Sequence, residues 1–419
     1  MKIFILADCN NFFVSCEQVF NPKLLNKPVV VLSNNDGCVI ARSNEAKALG
    51  IVMGVPYFQI KKRCKAEGIV ALSSNYLLYA DMSARVMQAL KKFTSEIEVY
   101  SIDEAFFRLD NCKGENALIY AEKICRTITQ WTGIPLSMGI ASTKTLAKVA
   151  NHWAKRFKKI VFSMLDSSAH NLLLHSLLVN ELWGIGGRIA HTLNMMGIGS
   201  ALQLRDANPS WIRQQVGTVV ERIVRELNGV ACLDLTPTQA RKGIGCAKSF
   251  GKGITELPKL EEVLSYYAST VCHKLRMQQS IVPRIQVLLQ TNRFLEGVER
   301  YDAVKYYYFE YPTQDTRQVI TAAKQCLRQL YKAGYIYQKV GIMLIDLLPA
   351  TFQQKDLFAN VLSDDHSCRV MRLIDNINDK LGKNTIFLAA QGTECHWQRR
   401  SQWLSPDYIG DWNQLLSVR

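Results

Sequence analysis

The sequence predicts a multidomain α+β protein, and three observations carry that expectation. Up to about residue 163, short apolar runs bounded by turn residues alternate with segments of helical periodicity. Residues 164–230 are almost wholly helical in pattern, and residues 248–347 alternate again. A chain of 419 residues is long for one domain and fits roughly two to four compact units.

Taken in order, residues 2–8 form an apolar strand that ends on Asp8. Its start resembles a leader peptide, but Asp8 closes the apolar run early and no small-residue cleavage site follows, so a buried strand is expected. Residues 28–33 and 38–42 read as a hairpin around the turn residues Asn34, Asn35, Asp36 and Gly37. Residues 44–49 are helical with Gly50 in stop position, and residues 80–93 repeat apolar side chains at helical spacing. Two strands, 98–102 and 105–109, flank Asp103 and Glu104. A helix over 117–131, a strand over 135–141 and a helix over about 144–155 complete the first region. In the helical region, glycines punctuate positions 184, 186, 187, 197 and 199. Prolines, glycines and basic residues make 231–247 a linker. Helices at 259–278 and 316–332 and strands at 283–291, 303–309 and 338–347 then form a second α+β unit. Beyond Pro349 the chain reads as a polar tail with a helical patch at 368–381 and no strong core.

The formal charge, 51 − 36 = +15, calls for a polyanionic partner: nucleic acid, an anionic membrane surface or an acidic protein. The apolar runs, such as 172–174 with 177–179, are too short to span a bilayer core of about 30 Å, so no membrane segment is expected. Twelve cysteines are scattered without a Cys-x-x-Cys pair, which reads as free thiols in a reducing cytoplasm and not as a zinc site. His170 and His175 fit surface or packing roles better than metal ligation.

Asp8, Asp103 and Glu104 are the candidate catalytic carboxylates, expected at the carboxyl-side ends of strands. Neighbours on a strand point to opposite faces, so Asp103 and Glu104 can serve one site only where the backbone bends, as at a hairpin tip. Carboxylates without histidine or cysteine favour a hard ion such as Mg²⁺, and two such ions can activate a hydroxyl and stabilise a leaving pyrophosphate. From spacing alone, a surface aspartate and a turn-borne Asp-Glu pair fit equally well.

Three motifs in order identify a resemblance. Residues 7–17 (ADCNNFFVSCE), 100–106 (YSIDEAF) and 139–151 (GIASTKTLAKVAN) resemble the Y-family translesion DNA polymerases. Residues 32–42 (LSNNDGCVIAR) and 73–76 (SSNY) look like the UmuC branch, and the likeness runs from residue 2 to about 410. The resemblance implies an error-prone, template-directed polymerase of the SOS response with a right-hand fold. Its palm would be 1–11 and 76–163, its fingers 12–75, its helical thumb 164–230, a linker 231–243, its little finger 244–347, and its C-terminal tail 348–419.

Carried over by position, Asp8, Asp103 and Glu104, with the Cys9 carbonyl, would bind two Mg²⁺ ions. Phe12 and Phe13 would both belong to the nucleotide-binding set; Phe13 matches the steric gate, often tyrosine in relatives, that packs under the sugar and excludes a ribose hydroxyl, and of the two Phe12 is the one expected to pack in the core. Lys47 and Lys155 would hold the triphosphate of the dNTP. Asn44 stands where many relatives have tyrosine, and Lys155-Arg156-Phe157-Lys158 replaces the usual Lys-Pro-x-Gly. Residues 182–188 (LWGIGGR) resemble a helix-hairpin-helix, so Gly184, Gly186 and Arg188 would contact the phosphates of primer-template DNA, with a weaker second copy at 196–199. Lys242, Lys248, Lys252, Arg276, Arg284 and Arg293 would supply a basic face on the little finger. Gln354, Leu357 and Phe358 resemble the peptide that binds the bacterial sliding clamp. A cleaved UmuD-type dimer and RecA are the further partners the branch implies. A DNA-binding accessory with a vestigial site would lack a carboxylate or a triphosphate lysine, and a cyclase would lack the hairpin and clamp motifs; neither pattern is seen.

Overall fold

The computed structural model describes residues 3–109, 115–165, 170–236, 239–294, 299–351, 361–393 and 399–415. The chain divides into two compact units, Met1–Thr238 with Gln402–Arg419, and Gln239–Ser401.

The first unit is built on a five-stranded sheet of β1 (Phe4–Cys9), β5 (Ile97–Val99), β6 (Glu104–Arg108), β7 (Leu136–Ala141) and β8 (Val161–Ser163), in the order β5-β6-β1-β7-β8. β1 is buried along its whole length because both faces of the sheet are covered. Side-chain alternation sorts its residues cleanly. Ile5, Ala7, Cys9, Ala105, Phe107, Met138 and Ile140 join the core beneath α1 (Phe12–Phe20), α4 (Tyr76–Leu90) and α5 (Glu115–Thr132). Phe4, Leu6, Phe106 and Ala141 join a second core beneath α6 (Lys144–Arg156) and the helical region. That region comprises α7 (His170–His175), α8 (Gly187–Met195), α9 (Ala201–Asp206), α10 (Pro209–Val216) and α11 (Thr218–Leu227).

A smaller sheet between α1 and α4 holds β2 (Val29–Leu32), β3 (Val39–Arg42) and β4 (Val70–Ser73), with α2 (Asn44–Ala48) and α3 (Tyr57–Ala66) beside it. β2 and β3 form the expected antiparallel hairpin, and β4 pairs in parallel with β2.

The second unit is a sheet of β9 (Gly243–Ile254), β10 (Ser280–Thr291), β11 (Asp302–Thr313) and β12 (Tyr337–Ile345), in the order β11-β10-β12-β9, with the short β13 (Leu348–Pro349) pairing β10. α12 (Leu257–Met277) and α13 (Thr316–Leu330) cover one face. The glycine-rich start of β9, read as linker to residue 247, is strand from Gly243 onward. Small residues there permit a close approach of β9 and β12: a Cβ on Gly341 would stand 2.4 Å from the Ala247 Cβ.

The tail also differs from expectation. α14 (Val361–Leu381) docks on the second unit through Asp375, which accepts from Arg276 Nε at 2.6 Å and Nη2 at 2.8 Å. Residues 402–415 return to the first unit, where Trp403 packs against the core of the small sheet and Tyr408 stacks on Phe20. Among the described residues, no helix is long and apolar enough to cross a membrane.

Candidate active site

The site forms at one end of the central strands of the five-stranded sheet. Asp8 is the penultimate residue of β1, and its Cα lies opposite those of Glu104 and Ser137. The Cys9 N–H donates to the Asp103 carbonyl at 2.9 Å, so the turn joining β5 and β6 folds over the end of β1. Asp103 and Glu104 therefore belong to the turn and the amino-side start of β6. The expectation of carboxyl-side ends holds for Asp8 alone; antiparallel pairing brings the start of β6 to the same end.

The backbone gathers the three acids, yet their side chains take different partners. Asp8 Oδ1 meets Lys155 Nζ at 2.6 Å, and Asp8 Oδ2 accepts from Asn151 Nδ2 at 3.3 Å. Glu104 accepts from Lys148 Nζ at 2.8 and 3.1 Å. Asp103 accepts from Ser101 Oγ at 2.5 Å. No ready-made cluster of three metal-binding side chains occurs among the described residues. Burial raises the Asp8 pKa to about 6; the charge and hydrogen bond of Lys155 oppose this, and Glu104 adds to it. Burial, with Asp8 and Asp103 nearby, also pushes the Cys9 thiol far up. Cys9 can thus offer a carbonyl oxygen but no thiolate.

Lys148 and Asn151 were missed in the sequence. They lie with Lys144 and Lys155 on one stripe of α6, at the three- and four-residue spacing of a helix face. Thr143 caps this helix by accepting from the Leu146 N–H at 3.2 Å, and the buried Glu226 of α11 accepts from the Thr145 N–H at 2.9 Å. A cleft of about 260 Å³ opens beside the acids, lined by Asp8, Glu104, Lys148, Asn151, His152, Lys155, Glu181 and Trp183 among others.

Across the site, Lys47 of α2 donates to Asn11 Oδ1 at 2.5 Å, and Asn11 donates to Asn44 Oδ1 at 3.0 Å. Burial lowers the Lys47 pKa, with Arg42 and Lys155 adding repulsion and Asp8 opposing it. Phe12 is buried in the core, whereas Phe13 is half-buried and stacks on Tyr79 at 4.4 Å between ring centroids.

Lys158 takes φ 54°, a left-handed conformation that favours glycine. The Lys159 N–H donates to the Ala154 carbonyl at 2.9 Å and the Lys158 N–H to that of Lys155 at 3.3 Å. These are the two bonds of a Schellman cap, so α6 ends as a glycine would end it.

Gly184 has φ 85°, which suits glycine, and Gly186 caps α8. A Cβ on Gly186 or Gly187 would meet nothing within 4 Å, so the start of α8 is open to a ligand, with Arg188 exposed beside it. In the second unit the basic residues do not share one face. Arg284 pairs in register with Tyr308 on the open side of the sheet, over whose ring it lies. Lys248 pairs with Val340 on the helical side, above Tyr267. Arg276 is buried on Asp375, and Arg293 is ion-paired with Asp302. Gln354, Leu357 and Phe358 lie outside the described residues.

A carboxylate-bearing sheet faces a lysine stripe and adjoins a helical region with a glycine turn, an arrangement that suits a nucleotidyl transferase. Residues 7–152 match the impB/mucB/samB family, 241–357 match its C-terminal domain, and 368–418 match a domain of unknown function. The chain is 40% identical to Protein UmuC of Salmonella typhimurium over 422 residues, covering both chains completely. It is 36% identical to Protein MucB of Escherichia coli over 99% of each chain, and 28% identical to DNA polymerase IV of Moorella thermoacetica over 93% of this chain and 96% of that one. A chimera of the Y-family DNA polymerases Dbh and Dpo4 superposes with a TM-score of 0.68 at 24% identity, covering 83% of this chain and 99% of the other. The chain belongs to the impB/mucB/samB family, the UmuC branch of the Y-family DNA polymerases, and is a DNA-directed DNA polymerase of the translesion type.

Proposed function

We propose that this polymerase acts in the SOS damage response, copying lesions with low fidelity by joining a deoxynucleotide to a primer 3′-hydroxyl at a centre of two magnesium ions. The observation that carries the reading is the register of β1 and β6, which sets Asp8 opposite Glu104 with Asp103 beside Cys9 and the α6 lysines facing them. The donors are all oxygens, which suits magnesium. Asp8, Asp103, Glu104 and the Cys9 carbonyl would hold the metal. When bound, such ions make a primer hydroxyl more acidic and offset charge on the departing pyrophosphate.

Lys47 and Lys155 bind the triphosphate, and Phe13 excludes a ribose by ring bulk. Residues 1–11 and 76–163 serve as palm, 12–75 as fingers, 164–230 as thumb and 244–347 as little finger. The open start of α8, with Gly184, Gly186 and Arg188, takes DNA phosphate, and Arg284 adds a contact from the second unit. Residues Gln354, Leu357 and Phe358 dock on a sliding clamp, and a cleaved UmuD-type dimer and RecA are the partners in a cytoplasmic assembly.

Primer extension on an abasic template tests this, with and without those partners. Activity should need Mg²⁺ and vanish in Asp103→Ala; retained activity would sink the metal assignment.

A further inference from the structure

Residues 32–42 and 73–76, which mark the branch, find their structural use in the returning C-terminal segment. Asp36 Oδ2 accepts from the Gln402 N–H at 2.9 Å, while Asp36 Oδ1 accepts from Ser73 Oγ at 2.6 Å. The Ser73 N–H donates to the Trp403 carbonyl at 2.9 Å, and the Trp403 N–H returns a bond to Ser73 Oγ at 3.0 Å. Trp403 also meets Tyr57 edge-on at 5.0 Å. The segment thus lies along β4 as a short parallel bridge, Ser73 to Leu404.

Two residues further, the same segment enters a buried polar chain. Asn75 Nδ2 donates to Ser405 Oγ at 3.0 Å, and Ser405 Oγ donates to Glu17 Oε1 at 3.2 Å. Tyr79 Oη donates to the same Glu17 oxygen at 2.7 Å. Glu17 and Tyr79 are 1% and 0% exposed, so these donors matter: a buried carboxylate without them is strongly disfavoured. Asn75 also caps α4, the helix that carries Tyr79, by accepting from the Leu78 N–H. The face of the Tyr79 ring lies under Phe13, 13° from parallel.

We infer that residues 402–408 position the sugar-discriminating ring: Ser405 fixes Glu17, Glu17 fixes the Tyr79 hydroxyl, and the Tyr79 ring is the floor against which Phe13 stands. This rests on the reading of Phe13 as the gate. Glu17, Tyr79 and Ser405 are positioning residues that touch no substrate. The function follows for the end of the chain, whose family model carries no assigned role: it sets deoxyribose selectivity from the back of the pocket.

The test measures kcat/KM for dNTP and for the matching rNTP in the full-length protein. Ser405→Ala should lower the dNTP-to-rNTP ratio by roughly threefold to tenfold, the range expected when part of a charge-assisted hydrogen bond is lost. dNTP incorporation should stay within about twofold, since the ring remains stacked. Tyr79→Phe, which keeps the ring and drops the hydroxyl, should do the same, and Ser405→Thr should restore the ratio. Phe13→Ala serves as reference and should lower the ratio further. An unchanged ratio in Ser405→Ala and Tyr79→Phe, with Phe13→Ala affected, overturns the inference and leaves the segment a stability element. No change in Phe13→Ala overturns the gate itself.

Discussion

Replacing Gly139 with alanine should disable the site without touching any of its side chains. Gly139 lies on β7 opposite Leu6, on the sheet face that α6 covers. A Cβ there would stand 2.1 Å from the Ala147 carbonyl oxygen, 2.3 Å from the Asn151 nitrogen and 2.9 Å from the Asn151 Cα. All three neighbours are backbone, so no rotamer change relieves the clash. Restoring ordinary contact of about 3.4 Å requires helix and sheet to part by about 1 Å. That displacement falls on the segment that bears Lys148, Asn151 and Lys155, which now reach Glu104 and Asp8. A misplacement of about 1 Å can lower turnover on the order of 100-fold, and overpacking of this kind costs about 1–3 kcal/mol of stability. Single-nucleotide incorporation kinetics and urea unfolding would measure the two effects. The reasoning fails if Gly139→Ala retains wild-type kcat/KM and unfolds at the same midpoint.

The α6 cap offers a gain in stability instead. Lys158→Gly removes a left-handed strain of about 1–2 kcal/mol, offset by about 0.5–1 kcal/mol of extra chain entropy, so urea should unfold the variant later by about 0.5–1 kcal/mol; an earlier midpoint would count against the cap. Asp375 should tie α14 to the second unit in a pH-dependent way. Burial opposes its ionisation, but the hydrogen bonds and charge of Arg276, with His273, outweigh this and hold its pKa below the ordinary 3.8. A carboxyl depressed on folding contributes stability above its unfolded value and loses it as pH falls through the folded one. Hydrogen-exchange protection of α14 should therefore drop in Asp375→Asn at pH 7, by up to about 3 kcal/mol since the buried Arg276 loses its carboxylate and keeps only its bonds to Gln314 and Thr316, and the wild type should approach the variant as pH falls below 3.8. Equal protection at pH 7 would refute the link.

Strands that are continuous apolar runs and helices with a single covered stripe were legible, because both patterns report burial directly. β1, the hairpin of β2 and β3, and α6 fall close to where their patterns set them. α3 went unread because Ile60 and Cys64 are its only buried residues, in a helix otherwise basic and exposed. β9 was mistaken at its start because its glycines answer to the packing of β12, a partner nearly a hundred residues away. The acids could be found, but their sharing of one end of the sheet depended on the pairing of β1 with β6. Lys148 and Asn151 carried a signal, the spacing from Lys144 to Lys155, that gains meaning only once Asp8 and Glu104 lie across from it. Ser405 carried none: its partners Glu17 and Asn75 lie more than three hundred residues upstream.

The return of residues 402–415 to the first unit also sets an order of events during synthesis. Sheet, helices and acids of that unit are complete in the nascent chain by Thr238, yet the whole of the second unit must emerge before Ser405 can reach Glu17. A chain stopped at any point before residue 402 keeps the Tyr79 donor to Glu17 but lacks that of Ser405. The ribosome thus delivers last the residues that complete the part made first, and an incomplete product carries its defect at the site where a faulty polymerase would do the most harm.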